Sequence, residues 1–458
     1  MNNNFDKRKK FVFIFPQLLL SLMFFLLTSC SGSDYLNSIP GESTALISMD
    51  VNKMSGINNQ TLLKAMFHVS DLSDCGLDLT SKIYFFESAD GNLGLCVKVS
   101  DEDDLNDLFT NLAKQGVCQQ TKERRGFHFT VLKDSWVIGF SDKAMLVMGP
   151  ATVTAQAELQ NQMAKYLKQD EDEGIKGTPI YDKLDSIDSP IAMVTQAQAL
   201  PEKFVAPFTL GAPKDADASQ VYIAADMNVA HGCLNINSEA FSFNKHVDKA
   251  LKDASKIYRP IKGRYVKSMP SDALVGMFMN VKGVQFLPML QNNKGMQALL
   301  MGINSAIDMD NIIRSVDGDM TIVMPSFAAT NLQMSMSAEL ANANWLGDVD
   351  YWKQSCPKGG HISDCGKNFY YYTDGKMTFY FGVSADKQFY SGSSESQAEA
   401  SIQASKKPIA DDLQKQIKGK KMVMVINLSS VKDDKISTLT SFIQPILGKL
   451  NSIVYTLK

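Results

Sequence analysis

The stretch CPKGGHISDC, residues 356–365, sets two thiols around a histidine in a Pro/Gly-rich loop. Two chemistries use such groups. A zinc site built on Cys356, His361 and Cys365 calls for closer cysteine spacing and a further ligand pair, and the sequence supplies neither. A local disulfide needs only that the loop bring its ends together, and closing so short a loop would contribute about 2–3 kcal/mol. Cys356 and Cys365 are therefore the candidate bridge. The other cysteines after residue 30 are Cys75, Cys96, Cys118 and Cys233; six thiols allow fifteen full pairings, and sequence leaves the pairing open.

Catalytic signatures are sparse. Ser384-Ala-Asp-Lys387 and Ser429-Ser-Val-Lys432 satisfy S-x-x-K, but no K-T-G box follows to complete a serine acyltransferase set. There is no G-x-S-x-G elbow, H-E-x-x-H helix, phosphate-binding P-loop or dinucleotide glycine fingerprint. QDEDEGIKG (169–177) resembles a cation loop, yet Gly174 falls one place early for an EF-hand and Tyr181 stands where its last ligand should be. The five histidines, His68, His128, His231, His246 and His361, show no helical metal-ligand spacing. Eleven of the 24 methionines fall between Met269 and Met336. Thioethers could hold Cu(I) or absorb oxidants, but apolar frames around them describe a methionine-filled core. No catalytic residue, metal or cofactor is assigned.

Residue Cys30 carries a different chemistry. Lys7-Arg-Lys-Lys10 precedes an apolar run over 11–27, and Leu27-Thr-Ser-Cys30 follows. A cationic start, an apolar stretch and a small-residue site describe an export signal. The run is near the short limit for a membrane span and contains Pro16, so an uncleaved anchor helix fits less well. LTSC resembles a bacterial lipobox. That resemblance implies removal of 1–29, acylation of Cys30 and a tether over 30–38; two or more acyl chains anchor stably where one does not. Surface lipoproteins of the Bacteroides group tend to carry an acidic cluster after the cysteine. Here only Asp34 follows, so the expected place is the periplasmic face of the outer membrane, lipid-anchored, ahead of the cell surface.

Composition bounds the rest. A formal net charge of −3 provides no field that recruits nucleic acid. Hydrophobic content of 45% is that of a packed globular protein. Beyond residue 30 no apolar run is long enough to cross a bilayer.

The elements that would position these groups are written twice. PIYDKLDSIDSPIAMV (179–194) and PIADDLQKQIKGKKMV (408–423) share Pro, Ile, Asp, Leu, Met and Val at identical spacing. WVIGFSDKAMLVMG (136–149) answers FYFGVSADKQFYSG (379–392), and QAE recurs at 156–158 and 397–399. Weaker matches keep the same order. IPGESTALISMDV (39–51) pairs with MPSDALVGMFMNV (269–281), NLGLCVKVS (92–100) with NLQMSMSAE (331–339), and GFHFTVL (126–132) with NFYYYTD (368–374). SQVYIA (219–224) pairs with SIVYTL (452–457). The third of these pairs sets His128 opposite Tyr370, as at an ordinary strand position. KIYFFES and NLGLCVKVS flank Ala-Asp-Gly as a hairpin. Ser100 is the expected cap of a helix with acids in its first turn and Leu105, Leu108, Phe109 and Leu112 on its apolar face.

Hairpins with helices inserted between them predict an α+β fold with mainly antiparallel sheets and packed helices. The expected organisation is two tandem similar domains, 39–254 and 269–458, joined by a basic linker over 255–268. The early IPGESTALISMDV strand and the restart at MPSDALVGMFMNV resemble a family of uncharacterised Bacteroides-group lipoproteins. Their domain of unknown function spans nearly the whole mature chain, and the resemblance implies no activity, cofactor or site residue. The expectation is a noncatalytic envelope lipoprotein that binds or assembles a protein or glycan partner in the inter-domain groove, with the membrane reached through its lipid anchor and no nucleic acid involved. The alternative is a periplasmic hydrolase, glycan- or peptide-directed, with dispersed active-site residues.

Overall fold

The computed structural model describes residues 32–54, 64, 70–72, 75–200, 205, 209–230, 232–304, 306–326, 333–375, 377–430 and 450–458. Cys30, His68, His231 and Lys432 lie outside the described residues.

In chain order the first strands are β1 (Ala45–Met49), β2 (Ile83–Glu87), β3 (Leu93–Lys98), β4 (Lys122–Arg124) and β5 (Phe127–Leu132). Then come β6 (Trp136–Phe140), β7 (Ala144–Gly149), β8 (Ile191–Gln196), β9 (Tyr222–Ala230) and β10 (Cys233–Phe241). The second half adds β11 (Val275–Lys282), β12 (Val316–Met324), β13 (Ser335–Leu340), β14 (His361–Gly366) and β15 (Phe369–Thr373). It ends with β16 (Thr378–Val383), β17 (Gln388–Gly392), β18 (Met422–Asn427) and β19 (Ser452–Leu457). The fold is mixed, with large sheets and packed helices, and it forms two compact units. One comprises residues up to Thr44 together with Asp71–Asp182; the other comprises Ala45–Ser70 and Lys183–Lys458.

In the first unit the strands run β2-β3-β7-β6-β5-β4, each antiparallel to its neighbour. β2 and β3 form the expected hairpin, and Gly91 supplies the positive φ of 77° at its turn. The helix Glu102–Lys114 buries Leu105, Phe109 and Leu112, and Phe109 stacks on Phe140 with centroids 5.5 Å apart. Its cap is Asp101 rather than Ser100: the Asp101 carboxylate accepts from Asp104 N at 3.0 Å, while Ser100 N donates to Gly76 O. Ahead of β2, the Asp78 carboxylate accepts from Thr80 N (2.9 Å), Thr80 Oγ1 (2.6 Å) and Ser81 Oγ (3.0 Å), and pairs with Lys98 at 2.9 Å. Partial burial alone would raise its pKa; these donors outweigh burial and hold the carboxyl well below the usual range.

The second unit holds one continuous sheet in the order β1-β8-β9-β10-β19-β18-β11-β12-β13-β17-β16-β15-β14. Every contact is antiparallel except β10 with β19, which is parallel. Strand alternation separates two cores. Met279 on β11 joins a cluster around Trp345, Phe381 and Phe389, whereas neighbouring Phe278 joins Val266, Ile417, Val423 and Val425.

Residues 255–268 are not the solvated linker their charge suggested. Tyr258, Ile261, Tyr265 and Val266 are buried. Backbone N–H groups of Lys262, Gly263 and Arg264 all donate to the carboxylate of Asp319, at 2.9, 2.7 and 2.8 Å, and Asn280 Nδ2 adds a fourth bond at 2.8 Å. Asp319 is itself buried on β12. The cations are spent locally: Arg259 pairs with Asp317 at 2.8 Å, and Arg264 with Glu339 at 3.1 Å and Asp386 at 2.6 Å.

The registers also correct the sequence matching. Phe129 lies across from Gly139 and Phe369 across from Gly382. A Cβ on Gly139 would come within 2.6 Å of the Phe129 ring, and one on Gly382 within 2.8 Å of the Phe369 ring. With the two glycines equivalent, His128 matches Asn368, not Tyr370. Side chains alternate with a period of two, so a slip of two residues leaves every one on its own face.

Candidate functional site

Beside the parallel seam, the second unit contains a cavity of about 430 Å³. Its floor is a face of the sheet. Across β19, β18 and β11, Tyr455 lies beside Met424 and Met424 beside Met277; one row on, Leu457 lies beside Met422. The helix Lys245–Ser255 forms one wall. Asn244 caps it, accepting from His246 N at 3.0 Å and Val247 N at 3.4 Å, and its buried face includes Leu251 and Ala254. Met289, from the helix Gly283–Asn292, and Tyr258 complete the apolar lining.

The charged lining groups and the serines have partners. Lys183 Nζ sits 2.7 Å from Glu239 Oε1 and 5.1 Å from the centre of the Phe241 ring. Lys252 pairs with Asp248 at 2.7 Å, and Lys458 with Asp226. Ser242 Oγ donates to Gln220 O at 2.5 Å, and Ser255 Oγ to Lys252 O at 3.0 Å. Ser238 Oγ donates to the Tyr455 phenol. Burial pushes the Tyr455 phenol up to about 12, the serine bond opposing, and burial raises Tyr258 further. Both phenols are neutral near pH 7. Neither histidine nor cysteine lines the cavity, and its serines serve backbone carbonyls rather than a general base. At the lip, Phe243 is 46% exposed and packs edge-on against Tyr222 and Phe241. The arrangement can bind an apolar group; it has no nucleophile–base pair.

The sequence candidates lie elsewhere. Cys356 follows the helix Val349–Ser355 and Cys365 sits on β14; both are half-buried thiols whose pKa burial raises. His361 is exposed and meets the Tyr371 ring edge-on. Among the described residues no group of three or more His, Cys, Asp or Glu could hold a metal ion. Ser384 donates to Asp386 Oδ1 at 2.6 Å inside the β16–β17 turn, where Lys387 takes a φ of 60°, so that S-x-x-K is turn structure. His128 stacks on Phe140 at 5.1 Å, with Glu102 3.7 Å from its Nε2. In the acidic loop Glu171 pairs with Lys176 at 3.2 Å.

The methionines divide. Met269, Met279, Met309, Met320 and Met336 are buried in core, as their frames implied. Met277, Met422 and Met424 face the cavity instead. The alternation Met422-Val-Met424 signalled one sheet face, but only tertiary pairing with β11 makes that face a floor.

The chain belongs to the family defined by a domain of unknown function, DUF4836, whose model matches residues 35–449. No curated protein matches. A solved structure described as crystal form III of TP0453 is similar at 9% identity over 80% of this chain and 96% of that one, with a TM-score of 0.25. A likeness that weak carries no argument about this fold.

Proposed function

We propose that this chain is a cell-envelope lipoprotein, anchored through acylated Cys30 at the periplasmic face of the outer membrane, that binds a partner without catalysis. The observation that carries the binding reading is the cavity: a methionine-floored hollow whose charged lining groups and serines are already paired. Such a surface receives apolar groups and suits a protein side chain or a lipid better than a glycan, which needs free hydrogen-bonding groups. The N-terminal sequence supports the anchor, and the likeness to Bacteroides-group lipoproteins belongs with it. In that oxidising setting the Cys356–Cys365 bridge is proposed to close.

The same reading takes the chain as a tandem of two similar domains. The supporting order is β2-β3-β7-β6-β5-β4 in one half and β12-β13-β17-β16-β15-β14 in the other, with β1-β8-β9 answered by β11-β18-β19. Caps repeat as well: Thr44 N donates to Glu87 O, and Leu274 N to Pro325 O. Among the described residues β10 has no counterpart, and the cavity forms where β10 and its following helix meet β19.

The test is a photo-crosslinking residue placed at Phe243 in intact cells, with the same residue at Tyr351, 69% exposed, as control. The expected result is a discrete adduct from position 243, absent from 351 and lost in Cys30→Ala. Identical adducts from both positions would overturn the cavity as the binding surface.

A further inference from the structure

We infer that a lysine-rich face of the second unit lies against an anionic phospholipid surface. This rests on the anchoring read from Cys30, which would bring the chain to a membrane, and it adds which face turns to that membrane. Two segments distant in sequence form the face. Ile261 N donates to Lys420 O at 2.8 Å, and Gly419 N to Ile261 O at 2.9 Å. Ser405 N donates to Lys267 O at 2.9 Å, and Ser271 N to Lys407 O at 2.8 Å. The Lys418 stem lies along Gly263, where a Cβ would come within 2.5 Å of its Cε. Residues 261–272 and 405–421 thereby pool nine lysines and arginines against three aspartates, in a chain whose formal net charge is −3.

Local pairing removes only some of these cations. Lys262 and Arg264 pair with Glu339, Lys415 with Asp412, and Lys421 donates to Lys458 O. Lys267, Lys406, Lys407, Lys418 and Lys420 are exposed, and among the described residues none of the five forms an ion pair. Asp272 and Asp411, the acids left over, do not balance them. Nor does the fold require this charge. Tyr35-Leu-Asn-Ser-Ile-Pro40 matches Tyr265-Val-Lys-Ser-Met-Pro270, and Pro40 bridges Gly174 as Pro270 bridges Pro408. At the matched positions Asp34, Asn37 and Ser189 stand where the second half has Arg264, Lys267 and Lys418. The same local structure is built without the lysines. An ammonium is a compact, hydrated point charge suited to diffuse attraction by a layer of headgroups, whereas the guanidinium fork that would grip one phosphate is spent at Arg264.

The experiment is vesicle cosedimentation of the chain from Ser31 on, which holds every described residue and carries no acyl chain. Vesicles of phosphatidylcholine are compared with vesicles about one-third phosphatidylglycerol. Binding is expected only to the anionic vesicles, falling steeply between about 0.05 M and about 0.5 M salt as screening grows. Each lysine near such a surface is worth about fivefold in partition. The combined variant Lys267→Gln, Lys406→Gln, Lys407→Gln, Lys418→Gln and Lys420→Gln should therefore lose at least about a hundredfold. Replacing Lys114, Lys122, Lys133, Lys143 and Lys168, all exposed in the first unit, by glutamine removes the same charge and should leave binding unchanged. Should the first variant fail to fold, acetylation of the unaltered protein with and without vesicles should show its five lysines protected. Equal binding to neutral vesicles, equal loss in the two variants, or protection elsewhere would overturn the inference. So would retention on an anionic polysaccharide resin without binding to vesicles. Mass spectrometry of the Cys30 peptide from native cells reads the anchor separately. An acylated Cys30 with no vesicle response sinks the lysine face alone, and an unmodified Cys30 with that response sinks the anchor alone.

Discussion

Asp319 shows how one residue makes a polar segment structural. Four N–H donors converge on its carboxylate, three of them successive backbone groups of a segment rich in lysine and arginine. Asp319→Asn puts an amide donor against donors and leaves at least one buried N–H unmatched, so stability should fall by about 2 kcal/mol or more. Urea unfolding reads this directly, and an unchanged midpoint would refute it. Asp78 gives the pH prediction. Its folded pKa lies below the unfolded value near 3.9, so its stabilisation is complete above about pH 4 and is lost as pH falls through the folded pKa. Asp78→Asn should therefore be less stable at pH 7 and lose less on acidification. Parallel acid limbs for the two proteins would contradict the assignment.

Among elements, the close approach of two helices is set by a glycine. A Cβ on Gly283 would lie 1.7 Å from Ile313 O, a backbone atom that cannot rotate away. Gly283→Ala should cost about 1–3 kcal/mol through overpacking, seen as a lower melting temperature; a wild-type melt would show that the helices separate freely. Much at this scale was legible beforehand. Alternation and the Ala-Asp-Gly turn marked the β2–β3 hairpin, and apolar spacing marked the face of the helix Glu102–Lys114. The losses have physical causes. Ser100 and Asp101 are both good caps and Gly76 O takes the N–H of each, so what separates them is the bond from Asp104 N to the Asp101 carboxylate, which no local pattern marks. Charge made 255–268 read as linker because a buried acceptor sixty residues downstream leaves no local mark. The equivalence of His128 slipped by two residues, the error that a period-two pattern hides.

For the whole molecule, the parallel seam is the decisive junction. β19 lies between β10 and β18, so the C-terminal strand holds the β8–β10 strands to the β11–β18 sheet. A chain ending at Asn451 would expose both strand edges and lose Tyr455 and Leu457 from the cavity floor. It should melt at lower temperature and aggregate, whereas a wild-type melt would show that the seam carries no stability. The cavity was not legible: the expected surface was a groove between two tandem domains, whereas this hollow lies within the second unit. Its lining comes from residues more than two hundred positions apart, and no local signal joins Lys183 and Phe241 to Met424 and Tyr455.

The most direct test of the central claim is native mass spectrometry of the protein purified gently from its own membranes, beside Met424→Lys. The account predicts a noncovalent adduct of discrete mass on the first and none on the second. Bare protein in both spectra, or the same adduct on both, would contradict it.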